Sequence, residues 1–130
     1  MNDFSVSMAV RDYECDMQGI VNNAVYQNYL EHARHEFLKS KGLDFAELTA
    51  AGINVVVLKA ELDYLSSLAS GDVFTINVRL VKESRLKVVF QQEILRQSDQ
   101  KQIMKARITA TAVNERGRPY FPDELQRLLE

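Results

Sequence analysis

Asp16-Met17-Gln18-Gly19-Ile20-Val21-Asn22-Asn23-Ala24-Val25-Tyr26 sets a carboxylate just ahead of a long helical pattern. The first free N–H groups of a helix, with the positive end of its dipole, can hold a developing oxyanion. A carboxylate a short distance away can attack a carbonyl or activate a water molecule. Gly19 lets the backbone come close to a ligand. Read from the residues alone, a second use stays open. Asp16 completes a turn, and Asn22 and Asn23 cap the helix through their side-chain oxygens.

Other reactive residues carry less. His32 and His35 are three apart, a spacing that can present two metal ligands on a helix. At roughly 100° per residue, both fall well away from the centre of that helix's apolar stripe. No cysteine or carboxylate cluster stands beside them at a metal-binding spacing, so a solvated or interfacial surface is expected and no metal site. Cys15 comes with no histidine base, and a partly buried, inert thiol is expected there. Gly-x-Ser-x-Gly, P-loop, Gly-x-Gly-x-x-Gly and Cys-x-x-Cys patterns are missing from the sequence.

The elements that must position Asp16 follow from periodicity. Phe4 to Val10 alternates apolar and polar residues and predicts a half-buried strand, and Asp12 to Gly19 predicts a loop. From Ala24 to Lys41, Tyr26, Tyr29, Leu30, Ala33 and Phe37 recur at offsets 0, 3, 4, 7 and 11, the stripe of an amphipathic helix. Gly42 is its stop, behind Lys39 and Lys41. Asp44 and Glu47 have capping-box spacing for a second, short helix that Gly52 closes.

Strands are then predicted over Ile53 to Leu58 continuing through Lys59 to Leu65, over Val73 to Val81, over Leu86 to Leu95 and over Ile103 to Val113. Turns fall at Ser70 to Asp72, Ser98 to Lys101 and Glu115 to Pro119, and Pro122 to Leu129 can add a last helical turn or two. Strands joined by short turns pair antiparallel, and the long helix must bury its stripe against them. The expectation is one α+β domain over residues 1–130, a curved antiparallel sheet around a central helix.

Composition narrows the function classes. Hydrophobic residues make up 46% and charged residues 26%, with a net charge of −2 and no dense basic face for nucleic acid. One cysteine allows no internal disulfide and fits a reducing compartment. Met1 to Val10 lacks signal-peptide patterning, and no stretch approaches the roughly 20 apolar residues that span a bilayer. A cytoplasmic protein with no membrane contact is therefore expected.

Asp16, Gly19, Asn22, Asn23, Tyr26, Glu31 and Arg34 stand in an order that resembles the signature of the 4-hydroxybenzoyl-CoA thioesterase-like branch of hotdog-fold thioesterases. Ala60-Glu61-Leu62-Asp63-Tyr64 with Gly71-Asp72 is similar to a later segment of that family, and Gly117-Arg118-Pro119 before Pro122 to its ending. Ile20 departs from the histidine that many members carry after the glycine, which bears on subgroup and substrate. Branches that use a helix glutamate as nucleophile, or a catalytic histidine, match less well.

The resemblance implies a hotdog fold and hydrolysis of a small or medium acyl-CoA, with Asp16 as nucleophile or general base. Gly19, Val21, Asn22, Asn23 and Tyr26 would contact the substrate, with backbone N–H groups near Val21 to Asn23 polarising its carbonyl. Arg85 and Lys87 would meet the CoA phosphates, unless they are ordinary solvated turn charges. Ile53 to Leu58 and Tyr64 would wall the acyl pocket or simply pack the core. No cofactor is implied. The site would lie at a homodimer interface, and outer surfaces could join dimers into a tetramer. Two rivals share the fold: a non-catalytic acyl-thioester binding module, and a thioesterase acting on acyl carrier protein. The Glu31–Arg34 spacing suits an ion pair on the helix.

Overall fold

A computed structural model of the protein describes residues 3–130. Met1 and Asn2, part of the N-terminal segment read above, lie outside the described residues. The alternation at Phe4, Val6 and Met8 forms β1 (Phe4–Ala9), and a single 3-10 turn over Asp12–Glu14 opens the loop that follows. The central helix α1 (Val25–Ser40) buries Tyr26, Tyr29, Leu30, Ala33 and Phe37, the stripe read from the sequence, together with Leu38.

The predicted glycine stop is a Schellman closure. Gly42 takes φ +77°, its N–H donates to the Lys39 carbonyl, and the Leu43 N–H donates back to Leu38. Asp44 then caps α2 (Phe45–Ala50) by accepting the Glu47 N–H at 3.1 Å.

Five strands form a path β1-β3-β4-β5-β2, through β2 (Asn54–Tyr64), β3 (Val73–Lys82), β4 (Val88–Arg96) and β5 (Gln102–Val113). All these pairings are antiparallel. A short β6 (Pro119–Tyr120), starting at the last residue of the region read as a turn, adds to β5, and α3 (Asp123–Leu128) follows it. The expected α+β architecture is present, and it is the arrangement that the hotdog resemblance implies. Between α1 and the sheet, Phe37 meets Phe4 edge-on at 5.9 Å and Phe90 at 6.3 Å, and Tyr29 lies 4.7 Å from Phe74. Among the described residues, no helix is long and apolar enough to cross a membrane.

One join departs from the short-turn rule. β2 and β3 follow each other in sequence but do not pair; β2 lies at one edge and β3 next to the other. The connecting residues 65–72 cross the end of the sheet instead. Leu68 is fully buried there, its N–H donating to the Tyr26 hydroxyl and its carbonyl accepting from Val21 N–H. Burying both an apolar side chain and satisfied backbone groups holds this link over the start of α1.

Candidate active site

Three pieces of chain meet at the N-terminal end of α1. The first is the Asp16 loop, closed by hydrogen bonds from Asp16 N–H to Ile20 O (2.9 Å) and from Gly19 N–H to Asp16 O (3.0 Å). Gly19 has φ +82°, and a Cβ placed on it would meet nothing within 4 Å. The turn's conformation, not crowding, is what asks for glycine at this position. The second piece is the helix entry, and the third is the β2–β3 link, tied to the loop by an antiparallel bridge between Ile20 and Ala69.

Together they enclose a hollow of about 360 Å³, lined by Asp16, Ile20, Val21, Asn23, Tyr26, Tyr64, Leu65, Ser66 and Ser67. Of the residues singled out in the sequence, Asp16, Val21, Asn23 and Tyr26 converge on it, while Gly19 and Asn22 do not line it. The turn leaves the Asp16 side chain at the edge of the hollow. One carboxylate oxygen, Oδ1, accepts the Gln18 N–H at 2.9 Å and completes the turn, and the exposed side chain still borders the hollow.

The helix entry differs from the expected asparagine cap. The residue at the cap position is Ala24, already in helical conformation and without a side-chain cap. Asn22 acts two residues earlier: its Oδ1 accepts the Ala24 N–H at 3.0 Å and its carbonyl accepts the Val25 N–H at 2.9 Å. The amides near the helix start are also not equivalent. Val21 N–H is bound to Leu68 O and Asn22 N–H to Glu14 O, so neither is available to a ligand. Among the described residues the Asn23 N–H has no acceptor, and it belongs to a residue that lines the hollow.

Aromatic hydroxyls brace this arrangement. Tyr64 donates to the Asn23 carbonyl at 3.1 Å, joining β2 to the helix entry. Tyr26 accepts from Leu68 N–H, which leaves its own proton free, and burial pushes its pKa above the usual phenol range. Tyr29 donates to Glu14 Oε1 at 2.9 Å, fixing the segment ahead of Asp16. Sequence reasoning missed Leu65, Ser66 and Ser67, because the signal that brings them here is a contact across 42 positions, Leu68 to Tyr26.

The other expected residues lie elsewhere. Arg85 and Lys87 are exposed in the β3–β4 turn. Ala9 pairs with Val73 at the Asp16 end of β3, so nine strand steps of about 3.3 Å put that turn roughly 30 Å away in the same chain. Glu31 and Arg34 form no ion pair: no carboxylate lies within 4.0 Å of Arg34 among the described residues. Arg34 instead donates to Gln92 Oε1 at 3.0 Å, while Gln92 Nε2 donates to Leu30 O at 3.0 Å.

His32 pairs with Glu36 at 3.8 Å and His35 packs on Phe45 at 4.7 Å, and no cluster of three or more metal-ligating side chains occurs among the described residues. A larger hollow of about 630 Å³ lies on the outer face of the sheet. Its Glu61 and Arg107 neutralise one another at 3.9 Å, and it is away from the helix N-terminus.

A sequence model of the thioesterase-like superfamily matches residues 10–129. The chloroplastic acyl-acyl carrier protein thioesterase ATL3 of Arabidopsis thaliana is 38% identical over 120 residues, 92% of this chain and 63% of its own. ATL2 of the same plant is 36% identical over 88% of this chain and 61% of its own, so the chain spans under two-thirds of these curated relatives. Among solved structures, a hypothetical protein from Aquifex aeolicus aligns at TM-score 0.90 with 32% identity, covering 98% of this chain and 99% of that one. The 1,4-dihydroxy-2-naphthoyl-CoA thioesterase Slr0204 from Synechocystis aligns at TM-score 0.91 with 18% identity over 98% and 95%, a likeness of fold.

Proposed function

The chain belongs to the thioesterase-like superfamily, and from that premise we propose that it hydrolyses the thioester of a small or medium acyl-CoA to the free acid and coenzyme A. The observation that carries this reading is the pairing of an exposed carboxylate, Asp16, with the unengaged Asn23 N–H on one hollow. An acyl carbonyl seated there is polarised by that amide and by the N-terminal end of the 16-residue helix α1.

Asp16 acts in one of two ways. As nucleophile it bonds to the carbonyl carbon, the C–S bond breaks with its electron pair leaving on sulfur, and water cleaves the resulting mixed anhydride. As general base it takes a proton from the water that attacks directly. Either way one thioester and one water give one acid and one thiol. The thiol's reference pKa near 8.5 lets it depart as thiolate with little help from an acid.

The reading extends to a homodimer joined through β2. This 11-residue edge strand exposes Val57 and Leu58 by about half (53% and 51%), the open, apolar kind of edge that pairs with another chain. Antiparallel β2–β2 pairing sets the Tyr64 end of one protomer against the Asn54 end of the other. It thereby carries the partner's Arg85 and the partner's Lys87 toward Asp16, where they meet the CoA phosphates.

A carrier-protein substrate is the second reading, supported by the plant relatives named acyl-acyl carrier protein thioesterases. Thiol release from acyl-CoAs of graded length, and from the same acyl groups on carrier protein, decides between them. Asp16→Asn keeps the Gln18 hydrogen bond and should lower turnover roughly 10²- to 10⁴-fold. Wild type that binds these thioesters without cleaving them, or a mutant as fast as wild type, overturns the proposal in favour of a binding module or another catalytic group.

A further inference from the structure

Arg34 has no carboxylate at ion-pairing distance among the described residues; Glu31 of its own helix acts on it only from farther off. Its guanidinium is largely withdrawn from water between α1 and the sheet, held by Gln92 and facing the Phe90 ring at 5.8 Å. A charge taken out of water costs several kcal/mol unless an opposite charge and hydrogen bonds offset it. Within this chain, among the described residues, no carboxylate reaches it within 4.0 Å. Glu31, one turn earlier on the same helix, is exposed and makes no ion pair within 4.0 Å among the described residues.

Both side chains open onto the same hollow of about 260 Å³, where Gln27 and Asn28 of α1 face Val57 and Ala60 of β2. Val57 and Ala60 flank Lys59, the midpoint of β2. If β2 pairs with a second β2 about its middle, the two-fold axis passes beside this hollow. A two-fold interface is self-complementary: where Glu31 of one copy meets Arg34 of the other, the reverse contact follows.

We propose that Glu31 of each protomer is the counter-ion of Arg34 of the other, so that two reciprocal ion pairs close the hollow between α1 and β2 and fix the dimer's register. The occupant of this hollow is a second copy of the chain. The inference rests on the β2-mediated dimer and adds to it the pair that selects one alignment. The bulge between Val57 and Lys59 supports the same role, since an irregular strand offers fewer equivalent registers than a regular one.

The test uses two differently tagged full-length variants. Glu31→Arg makes both positions positive, and Arg34→Glu makes both negative. Each alone places like charges across the axis and should weaken dimerisation roughly thirtyfold or more, measured by sedimentation equilibrium. Mixed and refolded together, they should form heterodimers well above the statistical half, counted by native mass spectrometry. A pair formed within one chain would give no such preference.

Glu31→Gln, at an exposed position, keeps the fold and should also weaken the dimer, which covers the case where Arg34→Glu does not fold. A monomeric wild type would overturn the β2 dimer and this pair with it. A dimeric wild type whose variants dimerise as tightly and mix statistically would overturn the pair alone. So would an Arg34→Glu protein changed only in acyl preference, for then the guanidinium serves the ligand.

Discussion

The two flanks of α1 are built to different standards. The flank toward β1, β3 and β4 is sealed by edge-on and tilted ring contacts: Phe37 against Phe4 and Phe90, and Tyr29 against Phe74. The flank toward β2 carries hollows, an unpaired guanidinium and an exposed apolar strand edge. Close packing supplies stability because each buried side chain gains both transfer and dispersion energy. The loose flank supplies less of that by itself, and the proposed catalytic hollow and the proposed dimer edge both adjoin β2. Comparing them separates residues that hold the fold from residues that are available for chemistry and assembly.

The largest effect on this contrast is expected at the sealed flank. Phe37 is fully buried, and Phe37→Ala removes its contacts with both rings, so unfolding stability should fall by about 3–5 kcal/mol. Thermal and urea denaturation would read this directly. Val57→Ala on the open flank, where the side chain is half exposed, should change monomer stability far less. Equal losses at the two positions would erase the distinction.

A smaller effect is expected where the flanks meet. Tyr26→Phe removes the hydroxyl that accepts Leu68 N–H, leaving a buried donor without a partner at a cost of about 1–3 kcal/mol. The loss should be uneven, because Leu68 also anchors Val21 and thereby the Asp16 loop. Amide exchange should rise at Val21 and Leu68 before the strands of the core loosen. Uniform loosening would mean that the link is no separate structural unit.

The same division governs how much could be read from the sequence. The stripe of α1, the Gly42 stop, the Asp44 cap and the β-strands are local patterns, legible because each depends on residues within a turn or two of one another. The carboxylate ahead of the helix was legible for the same reason. The crossing of residues 65–72 was not: it rests on Leu68 finding Tyr26, and alternation within a strand carries no information about which strand lies beside it. Nor could spacing choose Arg34's partner. Glu31 is at pairing spacing along the helix, yet Gln92 of β4, 58 positions away, takes the hydrogen bond, with the guanidinium 5.8 Å from the Phe90 ring of the same strand. The cap moved by one residue when Asn22 spent its side chain and carbonyl on the turn into α1.

The smallest expected effect concerns how the link is held from outside. Arg96, in β4, donates to Ser67 O at 3.3 Å, so it touches the segment that lines the Asp16 hollow, and Asp99 holds it in place at 2.8 Å. The Arg96 hydrogen bond, helped by the Lys101 N–H, pulls the Asp99 carboxyl down from 3.8 to about 2. Because the folded-state value is the lower one, the stabilisation is present at neutral pH and is lost as acid is added from about 3.8 through about 2. Asp99→Asn should therefore lower stability slightly at neutral pH, slightly because this pair is open to solvent and screened, and the two proteins should converge as acid is added through that window. Acid titration followed by circular dichroism, with wild type and variant side by side, measures it. If the two curves coincide from neutral pH through that window, the clamp is a surface contact without consequence, and the link is held by Leu68 and its backbone hydrogen bonds.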